Sequence, residues 1–149
     1  MEKIKIYLDN CCYNRPFDDQ DQHLIILETE SKLAIQSNIK KGVFTLVWSF
    51  MLDSENDDNP SEEKRDVIKP WKKIANEYCP ASSDILTNAK EYAKLGLKHK
   101  DSIHLACAVK HKCNYLITTD KKFINKNNLI NDIKIVNPMT FILETEESK

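Results

Sequence analysis

The sequence predicts an α/β fold, a three-layer α/β/α sandwich around a mainly parallel sheet. Three observations predict it. Short β-rich runs at Ile4–Leu8, Val43–Leu46, Tyr115–Thr118 and Ile133–Val136 alternate with longer segments of helical period. The run Tyr115-Leu116-Ile117-Thr118 carries no charge, as expected of a strand buried on both faces of a parallel sheet. Acids follow the ends of two of these runs, Asp9 and Asp120, at the edge where open α/β sheets bind ligands.

At 149 residues, 41% hydrophobic and 30% charged, the chain reads as a single domain, residues 1–149, with an acidic tail from about residue 144. A net charge of −1 excludes a generally basic coat, but the charge is unevenly spread. From Lys90 to Lys126 there are nine lysines and three acids, a formal +6. Such a surface suits a polyanion; a solvated lysine-rich face is the alternative. With only two glycines, Gly42 and Gly96, neither a Walker phosphate loop nor a dinucleotide fingerprint is present. The five cysteines form no CxxC pair, and the four histidines lack HExxH spacing, which speaks against a zinc site. Without a signal peptide or an apolar run of membrane length, the expected setting is a reducing cytoplasm with free thiols, away from membranes.

Taken in order, Ile4–Leu8 is a strand that delivers Asp9, followed by a polar, turn-rich stretch from Asn10 to Gln22. One class of hydrolases and phosphatases uses a first-strand Asp as nucleophile with a second Asp two places on; that place holds Cys11. The acid order of a receiver domain is not met either. Asp21–Asn38 is helical, with Leu24, Leu27 and Ala34, flanked by Ile26 and Leu33, as its apolar side and Glu28 and Glu30 solvated. Gly42 closes the connection to the Val43–Leu46 strand.

The next helix spans Trp48–Asn56 and carries two acids. With Trp48 at 0° and about 100° per residue, Val47, Met51 and Leu52 fall near 260°, 300° and 40°. Glu55 falls near 340°, inside that apolar arc, and Asp53 near 140°, opposite it. An inward carboxylate costs several kcal/mol unless paired or metal-bound, so Glu55 needs a metal or a salt bridge to a lysine or arginine.

Beyond Asn59-Pro60, a charged helix from Ser61 to about Asn76 is kinked or split at Pro70. Tyr78-Cys79-Pro80 is an extended link. Ser83–Leu95 is a helix with Ile85, Leu86, Ala89, Tyr92 and Ala93 as its apolar side, ended by Gly96. Asp101 opens a helix whose Ile103, Leu105, Ala106, Cys107, Ala108 and Val109 make it buried on most sides. Taken singly, Asp101 reads equally as a helix N-cap and Asp120 as the cap of a helix starting near Lys121. Ile133–Val136 is a last strand, and Pro138–Leu143 a short closing helix.

The order IYLDNC, WSFMLDSEN, KDSIHLACAV and NYLITTDKKF, over nearly the whole chain, resembles a PIN domain, the fold of VapC-type toxin ribonucleases. The most specific block is the last, an Asp opening an apolar helix and then a buried strand closed by Thr-Thr-Asp. The resemblance implies an acidic quartet of Asp9, Glu55, Asp101 and Asp120 that binds Mg²⁺ or Mn²⁺, with Asn10, Ser49 and Thr118 as polar neighbours in the same pocket. It further implies endoribonuclease activity on RNA, an antitoxin partner and a homodimer. The alternative is a non-catalytic PIN-fold module that binds nucleic acid or a partner. Two departures stand out: the Asn10–Gln22 stretch is long, and Ser102 occupies a position usually small and apolar. The quartet is chemically coherent, because converging carboxylates raise one another's pKa values and a hard divalent cation relieves this. Arg15, Lys100, Lys121 and Lys122 are candidate phosphate contacts, and His104 reads as a structural histidine of the buried helix.

Overall fold

The computed structural model describes residues 3–14 and 23–147. Five parallel strands form one sheet in the order β3-β2-β1-β4-β5. They are β1 (Lys5–Leu8), β2 (Thr45–Ser49), β3 (Glu77–Cys79), β4 (Tyr115–Ile117) and β5 (Lys134–Val136). The helices among the described residues are α1 (Asn10–Asn14), α2 (His23–Lys40), α3 (Phe50–Asp57), α4 (Glu62–Ile68), α5 (Trp71–Ile74), α6 (Ser83–Ala93), α7 (His99–Lys110), α8 (Lys121–Ile124) and α9 (Pro138–Glu147). A 3₁₀ segment, Asn125–Leu129, joins α8 to β5.

The central strand explains the layering. Side chains alternate across a sheet, and Ile6, Tyr7 and Leu8 are all buried. Tyr7 meets His104 of α7, while Leu8 lines a small cavity with Ile35 of α2 and Ile117 of β4. Helices α6 and α7 pack together on the first face, and α2 and α9 on the second. Strand order reverses between β1 and β4. Side by side at that reversal, both strands end on one edge, which is where an α/β sheet opens a crevice.

Several boundaries differ from the sequence expectation, each for a local reason. β2 runs on to Ser49, because Ser49 is the N-cap of α3 and its Oγ accepts from the Leu52 N–H at 3.3 Å. The Tyr78–Pro80 link is an edge strand; Asn76 leads it in, its backbone N–H donating to the Leu46 carbonyl and its Oδ1 accepting from the Leu46 N–H, both at 2.9 Å. The segment after Asp9 is helical at Asn10–Asn14 rather than an open turn. The Ser61–Asn76 segment is split at Pro70 into α4 and α5. Helix α6 ends at Ala93, and the chain turns through Gly96 at φ +98°, a conformation suited to glycine. The last helix continues to Glu147, so Glu144 is not in a free tail; it accepts from the Tyr115 hydroxyl at 2.9 Å and from Lys134 Nζ at 3.1 Å.

The face of α2 is also a correction. It buries Glu28, Lys32, Ile35 and Ile39, and leaves Leu24, Leu27, Leu33 and Ala34 exposed. The Lys32 ammonium lies 4.6 Å from the Tyr13 ring centroid, a cation–π contact that draws this side of the helix inward. Tertiary contact here overrides the apolar periodicity.

Helix α9 is pinned by Phe141, which is fully buried, with edge-on rings of Phe44 at 5.0 Å and Tyr115 at 4.9 Å. Phe141→Ala should therefore lower stability by about 3–5 kcal/mol, read as a shift in the urea midpoint at unchanged slope. A loss below about 1 kcal/mol would mean that α9 does not close the core.

Candidate metal centre

Asp9 stands one residue past β1 and is almost wholly buried. Its backbone N–H extends the β1–β4 ladder, donating to the Ile117 carbonyl at 2.9 Å. Its carboxylate accepts from the Thr118 hydroxyl at 2.8 Å and from the Asn10 N–H, the first of α1, at 2.8 Å. Thr118 is itself fixed, because its Oγ1 accepts from the Asp120 N–H at 3.1 Å. A buried carboxylate with several such donors is held in place.

Glu55 comes from α3. Ser49 caps that helix, which turns Glu55 to the α7 side, where its Oε1 meets His104 Nε2. Its partner is thus a histidine, not a lysine or arginine. Asp53 lies on the other side of α3, yet it is not free in solvent. It accepts from Trp48 Nε1 at 2.8 Å, the Tyr78 hydroxyl at 2.7 Å and Lys72 Nζ at 3.1 Å. These form a separate structural cluster tying α3 to β2, α5 and β3.

Helix α7 begins at His99 with Lys98 as its cap residue, so Asp101 lies in the first turn and is not the N-cap. Asp101 and His104 are three residues apart and share one helix face. His104 is fully buried; its Nε2 also lies 3.5 Å from Asp9 Oδ1, and its Nδ1 is bonded to the Tyr7 hydroxyl at 2.5 Å. Burial opposes its protonation, but the Glu55 hydrogen bond and the charges of Asp9, Glu55 and Asp101 prevail, and its pKa is raised. Burial, with the nearby Cys107, holds the Tyr7 phenol well above the usual tyrosine range. Asp120 does cap α8, its Oδ1 accepting from the Lys122 N–H at 2.9 Å.

Asp9, Glu55 and His104 each offer one ligand atom, and these lie within 4.8 Å of one another. The two carboxylates at that spacing fit a divalent cation, with the imidazole set beside both. Asp101 and Asp120 are outside this tightest group but share its electrostatics. The Asp101 carboxyl is pushed up from 3.8 to about 6 by burial first, and then by the charges of Asp9 and Asp120. Asp101 lines a cavity of about 300 Å³ with Lys98, Lys122 and Lys126. Asp120 lines one of about 720 Å³ with Lys98, Lys121 and Lys122. Lys100 is exposed and lines neither, and Arg15 lies outside the described residues.

Four residues of this region carried no functional reading in the sequence. His104 was legible as a buried polar group without an assigned partner. Tyr7 was hidden among strand apolars. Lys98 was one lysine among nine. Cys11 sits where a phosphatase would place its second acid; its thiol touches Asp9 Oδ2 at 3.5 Å and Thr118 Oγ1 at 3.4 Å.

Fold and geometry together define an α/β sandwich with clustered acids and a buried imidazole at the carboxyl edge of a parallel sheet. No family model and no curated protein matches the sequence. Among solved structures, VapBC2 from Rickettsia felis, bound to a DNA fragment from their promoter, contains a chain of similar fold. The TM-score is 0.60 at 14% identity, covering 90% of this chain and 98% of that one. No helix among the described residues is long and apolar enough to cross a membrane.

The raised Asp101 pKa has a definite sign in stability. The native state holds this proton more tightly than the unfolded chain, so the stability it confers is present below about pH 4 and is lost as pH rises through about 6. Asp101→Asn should thus melt higher than the parent at pH 8 in EDTA, by about 1 kcal/mol once solvent screening of this half-exposed group is allowed for. The gap should close toward pH 4, where the native Asp101 is protonated. A lower melt for the variant at pH 8 would mean that the helix-dipole benefit of a first-turn acid outweighs the crowding.

Proposed function

We propose that the protein is a divalent-metal-dependent endoribonuclease and the toxin of a toxin–antitoxin pair. The observation that carries this reading is the mutual electrostatic crowding of Asp9, Asp101 and Asp120 at one sheet edge, with Glu55 drawn in beside Asp9. Like charges gathered at this cost are expected where a cation and a phosphodiester meet. RNA as substrate rests on the resemblance to VapC-type ribonucleases, and a partner antitoxin on the fold shared with VapBC2.

In this reading Asp9, Glu55, Asp101 and Asp120 would hold Mg²⁺ or Mn²⁺, with Glu55 at the buried end of the site. The bound ion supplies charge neutralisation, polarisation of the scissile phosphate and activation of water. Thr118 and the Asn10 N–H keep the Asp9 carboxylate aimed while the ion binds. Lys98 and Lys122, which border both cavities, hold phosphates on either side of the acids, with Lys121 on the Asp120 side. Lys100, further out, steers the strand.

Asp120→Asn keeps a helix-capping side chain and should keep the fold while cleavage of mixed RNA in Mn²⁺ falls by at least roughly tenfold, about 1.4 kcal/mol of barrier. Full activity of that variant would reject the reading. Glu55→Gln should abolish cleavage. Asp53→Asn should cut within a few-fold of the parent but lose about 1 kcal/mol of stability from its weakened donors. The reverse pattern would place the working acid in the Trp48–Tyr78 cluster.

A further inference from the structure

His104 is a costly residue to place where it stands. An imidazole with no exposed surface must have both ring nitrogens satisfied, and an aliphatic side chain would fill the same space on an otherwise apolar stretch of α7. Its two partners run in opposite directions. Nε2 faces the Glu55 carboxylate, with Asp9 Oδ1 at 3.5 Å. Nδ1 faces the Tyr7 hydroxyl, which is 2.6 Å from Ser49 Oγ.

The donor inventory gives this chain a direction at Glu55. A carboxylate oxygen accepts, so in the Nε2–Glu55 bond the ring N–H donates. Nδ1 is bonded to the Tyr7 hydroxyl, and the Tyr7 hydroxyl to Ser49 Oγ. Ser49 is held from the other side, where its Oγ accepts from the Leu52 N–H at the start of the same helix that carries Glu55. The path leaves the β2–α3 junction at Ser49, crosses β1 at Tyr7, enters α7 at His104 and reaches α3 at Glu55. It closes a ring of side chains around the buried end of the cleft.

We propose that His104 is a positioning residue, whose Nε2 holds the Glu55 carboxylate beside Asp9 in the geometry that receives the metal, with the ring orientation set by Tyr7 and Ser49. This rests on the reading of the cleft as a metal site. Groups that orient a ligating carboxylate typically contribute 10–100-fold to metal affinity. Ring position alone is insufficient; the donor at the Nε2 position carries the effect, and the Tyr7 hydroxyl keeps that donor aimed.

The test is Mn²⁺ binding to the full chain, by calorimetry at fixed pH, for the parent, His104→Leu, His104→Gln and Tyr7→Phe, with thermal melts in EDTA alongside. His104→Leu fills the space without a donor, and its Mn²⁺ affinity should fall by roughly 10–100-fold. His104→Gln places an amide N–H close to the Nε2 position and should bind within a few-fold of the parent, whatever happens to its melting temperature. Tyr7→Phe should lose roughly threefold to tenfold while still folding, and carries the test if His104→Leu does not fold. Parent-like binding by folded His104→Leu, or by Tyr7→Phe where the Leu variant fails to fold, overturns the proposal. So does equal loss in the Leu and Gln variants. Nitrogen hyperfine coupling in the pulsed EPR spectrum of the parent Mn²⁺ complex, absent from His104→Leu, would make His104 a ligand and also overturn it. A parent that binds no Mn²⁺ removes the metal reading itself, whereas a parent that binds with an indifferent His104 removes only this inference.

Discussion

A carboxylate at the end of the central strand is buried and must be satisfied there, and much of the molecule is arranged to do it. Asp9 is withdrawn from water at the point where β1 stops pairing. Left alone, such a group would cost several kcal/mol or take up a proton. The Thr118 hydroxyl, the first N–H of α1 and the approach of His104 replace its water. Each comes from a different element, so satisfying this one acid fixes β4, α1 and α7 around β1. The reversal of strand order between β1 and β4 supplies the space for all three.

The same requirement propagates to a second layer. His104 can stand beside Asp9 only because Tyr7 and Glu55 satisfy its nitrogens. Tyr7 can be buried in a sheet only because Ser49 meets its hydroxyl. A polar network of this kind is stable when complete and expensive when any member is lost. Its value is geometric. It holds two carboxylates from α3 and β1 close together without a lysine or arginine, and so leaves the outer side of the site, at Asp101 and Asp120, for the basic rim of Lys98 and Lys122.

Much of this was legible in the sequence, and the parts that were not share a cause. The parallel α/β architecture followed from the alternation of strand and helix and from the charge-free run Tyr115–Thr118, because a doubly covered strand has no solvent side to mark. Asp9 and Asp120 stood out because they follow strand ends, and Glu55 because its angle fell between Met51 and Leu52 of its helix, although Val47 and Trp48, counted in the same arc, belong to β2. What escaped was set by contacts between distant segments. The face of α2 followed Tyr13 and not its leucines. β3 is three residues long and takes its order from Asn76 pairing with Leu46. The partner of Glu55 was hidden because a buried histidine on an apolar helix looks the same in sequence whether it faces a core carbonyl or a functional acid. Lys98 was invisible for a further reason, since nothing in a run of lysines says which one lies between two cavities.

The sequence separation of the contacts around Asp9 has a consequence for the timing of synthesis. The Thr118–Asp9 bond joins residues 109 apart, and the Tyr7–His104 bond residues 97 apart. A ribosome adding about 5–20 residues per second has made Asp9 roughly 5–20 s before Thr118 exists to meet it. Until then β1 has an unpaired edge toward β4, and the cleft has only one wall. Because parallel pairing across such distances is slow to close, the complete cleft is among the last features of the chain to form. A chain interrupted between α3 and β4 is released with the inner acids but without the cleft.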